Sequence, residues 1–379
     1  MKKFGFVLIA VICASAFISF AIISSAAAST PAPTTTLYAS TIMPAASFVA
    51  SATPASPTAP RWETIMYSAM DWILEATPDG ARLGGVVGEW AIRAMARAEK
   101  IDAHSPWLET WLGELNAAII ELEAENNPAA LRRWTDFQRV SLALDALGLD
   151  VRNYRGFDFT APFAVFVAPA QRNAANRTIL ADIYALISLE AILKTTLEAT
   201  SNPASQNFTT NAEARRYFNA LIQAQRADGT WSLNPASPTS VFDIDVTAMA
   251  LQALAPFYHA GNRTAIQAVE RAMLWLSAQT FRDPESTAQM IVAMTLLGEN
   301  YAQKAAYYVQ WLLRWYSPQL GGFVRTNHFN AVNAMATVQA VYALTAFQQF
   351  VYELGYEPTP PALSNTRTPP TNNNRIRLQ

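Results

Sequence analysis

Two carboxylates, Asp243 and Asp245, stand two residues apart at the head of an Ala/Leu/Met-rich run that continues to Pro256. A carboxyl group held between apolar walls and a second carboxylate keeps its proton to higher pH, and can donate it near neutrality. The same pair also suits a helix start. There one side chain caps free N–H groups and the other sits on the positive end of the helix dipole. Acids head four more apolar runs: Glu89 before Trp90, Asp136, Asp182 before Tyr184, and Glu285. Arg139 follows Asp136 by one helical turn, so it is placed either to hold an anionic ligand group or to pair with an acid beside it. Gln289 and Gln339 complete the candidate ligand-binding set, and Trp134 joins Trp90 and Tyr184 as an aromatic candidate.

Other chemistries lack their residues. The single cysteine, Cys13, lies in an apolar leader, so the body has no thiol nucleophile, thiolate ligand or disulfide. His104, His259 and His328 have no ligand spacing, and no metal site is expected. With 27 basic against 29 acidic residues and no Lys/Arg cluster, a nucleic-acid partner is not expected. No motif assigns a cofactor.

Any such site needs elements to hold it. Of 379 residues 51% are hydrophobic and 15% charged, which calls for one large buried core. Prolines and glycines punctuate two kinds of helical pattern. The first is amphipathic, as in Leu108, Leu112, Leu115, Ile119 and Leu122, or Ile266, Val269, Met273 and Leu276. The second opens with polar residues and is then apolar on nearly every face, beginning at Glu89, Thr135, Asp182, Asp243, Glu285 and Asn333. These starts recur at intervals of roughly 40 to 60 residues, a helical-hairpin repeat. The two kinds alternate, although Thr160 to Gln171 leaves room for only a short outer helix. Six all-round apolar helices are covered by amphipathic partners only if the pairs close into a ring. The expected fold is therefore all-α: an α/α toroid of six hairpins, with parallel inner helices inside an outer helical ring. Strands are expected only as short loop pairings.

The ends read differently. Lys2-Lys3, the apolar run Phe4 to Ile23 and Ala26-Ala27-Ala28 make residues 1–28 a signal peptide or an N-terminal membrane anchor. Residues 29–60 are an Ala/Ser/Thr/Pro linker, 61–356 the toroid, and 357–379 a disordered Pro/Asn-rich tail. The body is expected to be extracytoplasmic, secreted or held at the cell surface.

Gln225-Arg-Ala-Asp-Gly229-Thr-Trp231 resembles the Gln-x-x-x-Gly-x-Trp repeat of the terpenoid cyclase and protein prenyltransferase superfamily. Asp243-Ile-Asp245-Val-Thr247-Ala248 is similar to the Asp-x-Asp-Asp-Thr-Ala motif of squalene-type cyclases, and Gly321-Gly322-Phe323 resembles a further glycine–aromatic loop. The likeness spans Arg61 to about Phe350 and is nearest the secreted bacterial branch, itself similar to the toroid of cobalamin carriers such as intrinsic factor. It implies the toroid fold but no single chemistry. Val246 stands where the cyclase motif has its second paired aspartate, so the cluster that protonates an alkene is incomplete. There is room for one barrel, not two. The Asp/Cys/His zinc set of prenyltransferases and the thioester cysteine of complement-type toroids are both missing.

The leading expectation is a ligand-binding toroid, not an enzyme. It would hold a small molecule or glycan, with a corrinoid or an isoprenoid as further classes, at the mouth ringed by the inner-helix starts. An enzyme working through paired mouth carboxylates, on a cyclase-like or polysaccharide substrate, is the alternative. A structural adhesion or cell-wall module is the third.

Overall fold

The computed structural model describes residues 61–124, 131, 133–164, 178–200, 208–235, 243–325 and 331–359. The leader and linker lie outside them. Six helices form the inner set: α2 (Glu89–Arg97), α4 (Trp134–Ala146), α6 (Leu180–Thr200), α8 (Ile244–His259), α10 (Pro284–Leu297) and α12 (Ala334–Leu354). The outer set is α1 (Arg61–Ala76), α3 (Glu109–Glu123), the short α5 (Ala161–Ala164), α7 (Ala212–Gln223), α9 (Arg263–Leu276) and α11 (Ala302–Leu312). Two-residue strands, Tyr316–Ser317 and Gly322–Phe323, pair antiparallel in one loop.

Each inner helix packs on the next, and α12 packs back on α2, so the ring closes. On the outside, α1 covers α12, α7 covers α6, α9 covers α8 and α11 covers α10. This is the six-hairpin α/α toroid expected from the alternating patterns. Its physical basis is plain in α8 and α10: nearly every residue is buried, which a helix can satisfy only with neighbours on all sides. Small side chains such as Ala248, Ala250, Ala253, Ala288 and Ala293 let six rods approach around one axis. The outer helices bury one stripe each, for example Ala265, Val269, Met273 and Leu276 of α9.

The glycine–aromatic loops lock outer helices to inner ones. Gly229 has φ +90°, and a Cβ there would lie 2.7 Å from the Arg271 carbonyl, so only glycine fits. The Gln225 side-chain amide donates to the carbonyls of Gly229 (3.0 Å) and Ala268 (2.9 Å), and its oxygen accepts from Arg271. Trp231 is fully buried, and its indole N–H donates to the Leu221 carbonyl at 2.8 Å. The next inner helix clasps the loop through a threonine: the Trp231 N–H donates to Thr247 Oγ1 (3.2 Å), and the Phe323 N–H donates to Thr337 Oγ1 (3.0 Å). Trp231 and Phe323 are thus wedges of the core, not ligand platforms.

Two boundaries shift. Helix α8 runs one turn past Pro256, to His259. The start of the supposed disordered tail is tied down: Trp62 Nε1 donates to Glu357 at 2.9 Å, and Pro358 is buried.

Candidate functional site

The inner-helix starts lie at one end of the barrel, and most of their acids serve the fold. Asp243 caps α8, one carboxyl oxygen accepting from the N–H groups of Asp245 (2.9 Å) and Val246 (3.1 Å). Asp283, one residue before α10, caps that helix by accepting from the Ser286 N–H at 2.7 Å. Asn333 caps α12. Glu89 accepts from the Gly84 N–H (2.8 Å) and the Trp111 indole (3.2 Å). Asp136 accepts from the Arg133 N–H (2.9 Å) and from Arg139 Nη2 (2.8 Å), and Arg139 Nε lies 3.9 Å from Glu89. Asp182 is fully buried.

A second knot of acids joins the starts of α8 and α10. Burial, followed by Asp243, Asp283 and Glu285, pushes the Asp245 carboxyl up to about 8 against an opposing hydrogen bond from the Ser286 hydroxyl. Asp243 and Glu285 are raised as well, chiefly by burial and then by Asp283; two backbone N–H bonds hold Asp243 back and Arg325 holds Glu285 back. Arg325 Nε sits 3.5 Å from Glu285, and Asp245 Oδ1 is shielded without a hydrogen-bond partner among the described residues. At near-neutral pH Asp245 is therefore a neutral acid.

Below the acid end, aromatic rings crowd the axis. Trp90 packs at a tilt against Tyr184 at 5.5 Å and Tyr342 at 5.1 Å between ring centres. The Tyr184 phenol is pushed up to about 12, mostly by burial. Gln252 donates to Gln289 Oε1 at 2.8 Å, and Gln289 donates to Gln339, a chain of amides crossing α8, α10 and α12.

Beyond this layer the barrel opens at its other end. A cavity of about 740 Å³ is lined by the middle of α6 and by the middle and later residues of α2, α4, α8, α10 and α12, including Arg93, Asp145, Glu190, Gln252, Thr295 and Tyr342. The helix starts gather at the acid end while the cavity takes middle or later residues of all six, so all six run the same way. Arg97, His259, Glu299, Gln349 and Glu353 stand on the wider part of its wall.

The expected site residues therefore divide. Glu89, Asp136 and Arg139 come together as an ion cluster, and Asp243, Asp245 and Glu285 as an acid knot with Asp283. Trp90 and Tyr184 fill the axis between the two ends, and Gln289 and Gln339 belong to the amide chain. None of the eleven candidates lines the described cavity, which lies at the opposite end from the expected mouth. The Trp134 side chain and His328 lie outside the described residues. Arg93, Tyr342 and Glu190 were missed, yet a signal existed. Polar residues recur on the inner face of otherwise apolar helices: Glu89, Arg93 and Arg97 at four-residue steps, and Tyr342, Thr345, Gln349 and Glu353 at three- and four-residue steps.

No protein-family model matches the chain, and neither does any curated protein. Among solved structures the chain is similar to a possible member of the GH105 family from Salmonella enterica serovar Paratyphi A. The two share 15% identity over 77% of this chain and 83% of that one, with a TM-score of 0.40. A likeness that faint carries no argument, and the architecture rests on the closed helix ring itself. Among the described residues no cluster of acids, histidines or cysteines fits a metal ion, and no helix is long and apolar enough to cross a membrane.

Proposed function

We propose that this chain is an extracytoplasmic ligand-binding α/α toroid whose ligand occupies the axial cavity at the inner-helix ends. The observation that carries this reading is the cavity. Its volume of about 740 Å³ is in the range of small-molecule pockets, roughly 300 to 1,000 Å³. It has polar groups at its floor and apolar side chains such as Leu186, Val292 and Phe350 on its walls. The space opens to solvent at the end of the barrel, so a ligand can reach it. The superfamily likeness is part of the proposal, supported by the Gln225–Trp231 loop and its clasp on Thr247. Export rests on the leader sequence alone.

The test is a neutral fluorescent probe, Nile red, against Ala346→Trp and Ala191→Trp, which place an indole in the cavity from two different walls. Saturable binding to the wild type and its loss in both variants are expected. Failure of the wild type to bind, or equal binding by both variants, refutes the cavity reading.

Asp245 favours a second reading, an enzyme in which this protonated carboxyl serves as general acid on a polyisoprene or polysaccharide. Incubation with squalene and with a glycan panel tests it. Product formed by the wild type and lost in Asp245→Asn would establish catalysis, and no turnover of any of them removes it.

A further inference from the structure

The most unusual group in the barrel is Arg93. It sits in the middle of α2, is only 7% exposed, and forms part of the cavity floor. Its guanidinium lies 5.9 Å from the Trp90 ring centre and 5.6 Å from that of Tyr342. Its one hydrogen bond among the described residues, from Nη1 to the Tyr342 hydroxyl, is long at 3.5 Å. No carboxylate lies within ion-pair distance of it among the described residues, while Arg139, equally buried in the same barrel, has Asp136 at 2.8 Å and Glu89 at 3.9 Å. A guanidinium carries five N–H donors, and a buried cation without a counter-charge costs several kcal/mol. Ring contacts offset part of that cost. None of Arg93's nitrogens is both shielded and unbonded, so its spare donors open on the cavity.

The acids of the cavity do not fill this role. Asp145 and Glu190 act on Arg97, the next cation along the same helix face. Glu299 and Glu353 are exposed at the rim. Arg93 also acts on Arg97, so the two like charges lie close together on one helix face.

We propose that Arg93, with the Tyr342 hydroxyl, is the receptor for the oxyanion of an amphipathic ligand that enters the cavity head first. A planar guanidinium suits a carboxylate in two-pronged contact, and phosphate or sulfate offers the same acceptor chemistry. The apolar body would then lie along Leu186, Ile187, Val292 and Phe350. This deepens the cavity reading and rests on it.

The test is calorimetric titration of the full chain with sodium laurate, dodecyl phosphate, dodecanol and dodecyltrimethylammonium, each below its micellar concentration. The wild type is expected to bind laurate or dodecyl phosphate more tightly than dodecanol. Arg93→Gln should weaken the anion roughly 10- to 100-fold, as for a lost charge-assisted bond, and leave dodecanol unchanged. Arg93→Lys should recover part of the loss, because it restores the charge without the fork. Tyr342→Phe keeps the ring and should cost a few-fold, which decides the matter if Arg93→Gln does not fold. Two results overturn the assignment while leaving the cavity reading intact: equal laurate affinity in Arg93→Gln, or preference for the ammonium amphiphile. If neither laurate nor dodecanol binds and Nile red also fails, both are wrong.

Discussion

Replacing Asp245 by asparagine should leave stability nearly unchanged in acid and raise it progressively as pH increases. Asp245 has its carboxyl pushed up to about 8 in the folded protein, from an ordinary 3.8. Below the ordinary value both states hold the proton, and ionisation costs the fold nothing. Between that value and about 8 the unfolded chain releases the proton while the folded chain retains it, so stability falls with rising pH. Above about 8 the folded state ionises too and the loss levels off. A shift of this size, at 1.36 kcal/mol per unit, corresponds to about 6 kcal/mol. Asp245 keeps some solvent contact, so roughly half is a fair expectation. Asparagine has the same shape and no charge. Guanidinium unfolding of wild type and Asp245→Asn at pH 5, 7 and 9 should show a gap in favour of the variant that widens to about 2–4 kcal/mol at pH 9. Asp243 and Glu285 repel Asp245, so the difference reports the coupled acid knot and not one isolated group. Parallel curves across the range would falsify the claim that Asp245 is folded as a neutral acid, and a variant less stable at every pH would mean that its carboxyl is used as an anion.

Other perturbations separate the two buried arginines and the special glycines. Arg139→Met removes the buried counter-charge of Glu89 and leaves Asp136 with the more exposed Arg133 at 3.5 Å, and should cost about 3–5 kcal/mol in urea unfolding, whereas Arg93→Gln, which strands no carboxylate, should cost far less or stabilise. Equal losses in the two would undo the contrast. Gly229→Ala forces a Cβ to within 2.7 Å of the Arg271 carbonyl at φ +90° and should cost more than about 3 kcal/mol. Gly261→Ala, at φ +72° with nothing nearby, should cost only about 1 kcal/mol. Thermal melts of the two variants check the ordering.

The sequence carried the architecture because the architecture is periodic. An all-round apolar run and an amphipathic run leave different marks, and their alternation forces closure. The inner-helix starts fell within about two residues of Glu89, Thr135, Asp182, Asp243, Glu285 and Asn333 because caps and acids announce them. The same conspicuousness misled the search for a site. Acids at helix starts stand out in a sequence, yet Asp243 and Asp136 spend their oxygens on backbone N–H groups. Arg93 and Tyr342 stand out less, since one charge or phenol inside an apolar run looks like an exception. Only closure of the ring shows that their face points down the axis. Asp283, the true cap of α10, lay two residues ahead of Glu285 and was overlooked for the same reason.

The closed ring also explains why its two ends differ in charge. Six parallel helices align their dipoles, so the start end of the barrel is electrically positive and the far end negative. Acids gather at the starts because the fold itself rewards them there, and Arg97 in the last turn of α2 is rewarded in the same way. Arg93 is not. It lies a full turn inside the helix, away from either terminal field, without a carboxylate and against two aromatic rings. Other charged groups deep in the barrel have a structural use: Glu89 and Asp136 have Arg139, and Asp245 escapes the cost by staying protonated. Fold stability gives no reason to retain a bare guanidinium at the floor of an open cavity. A negatively charged ligand group does, because it completes the ion pair that the protein leaves half made.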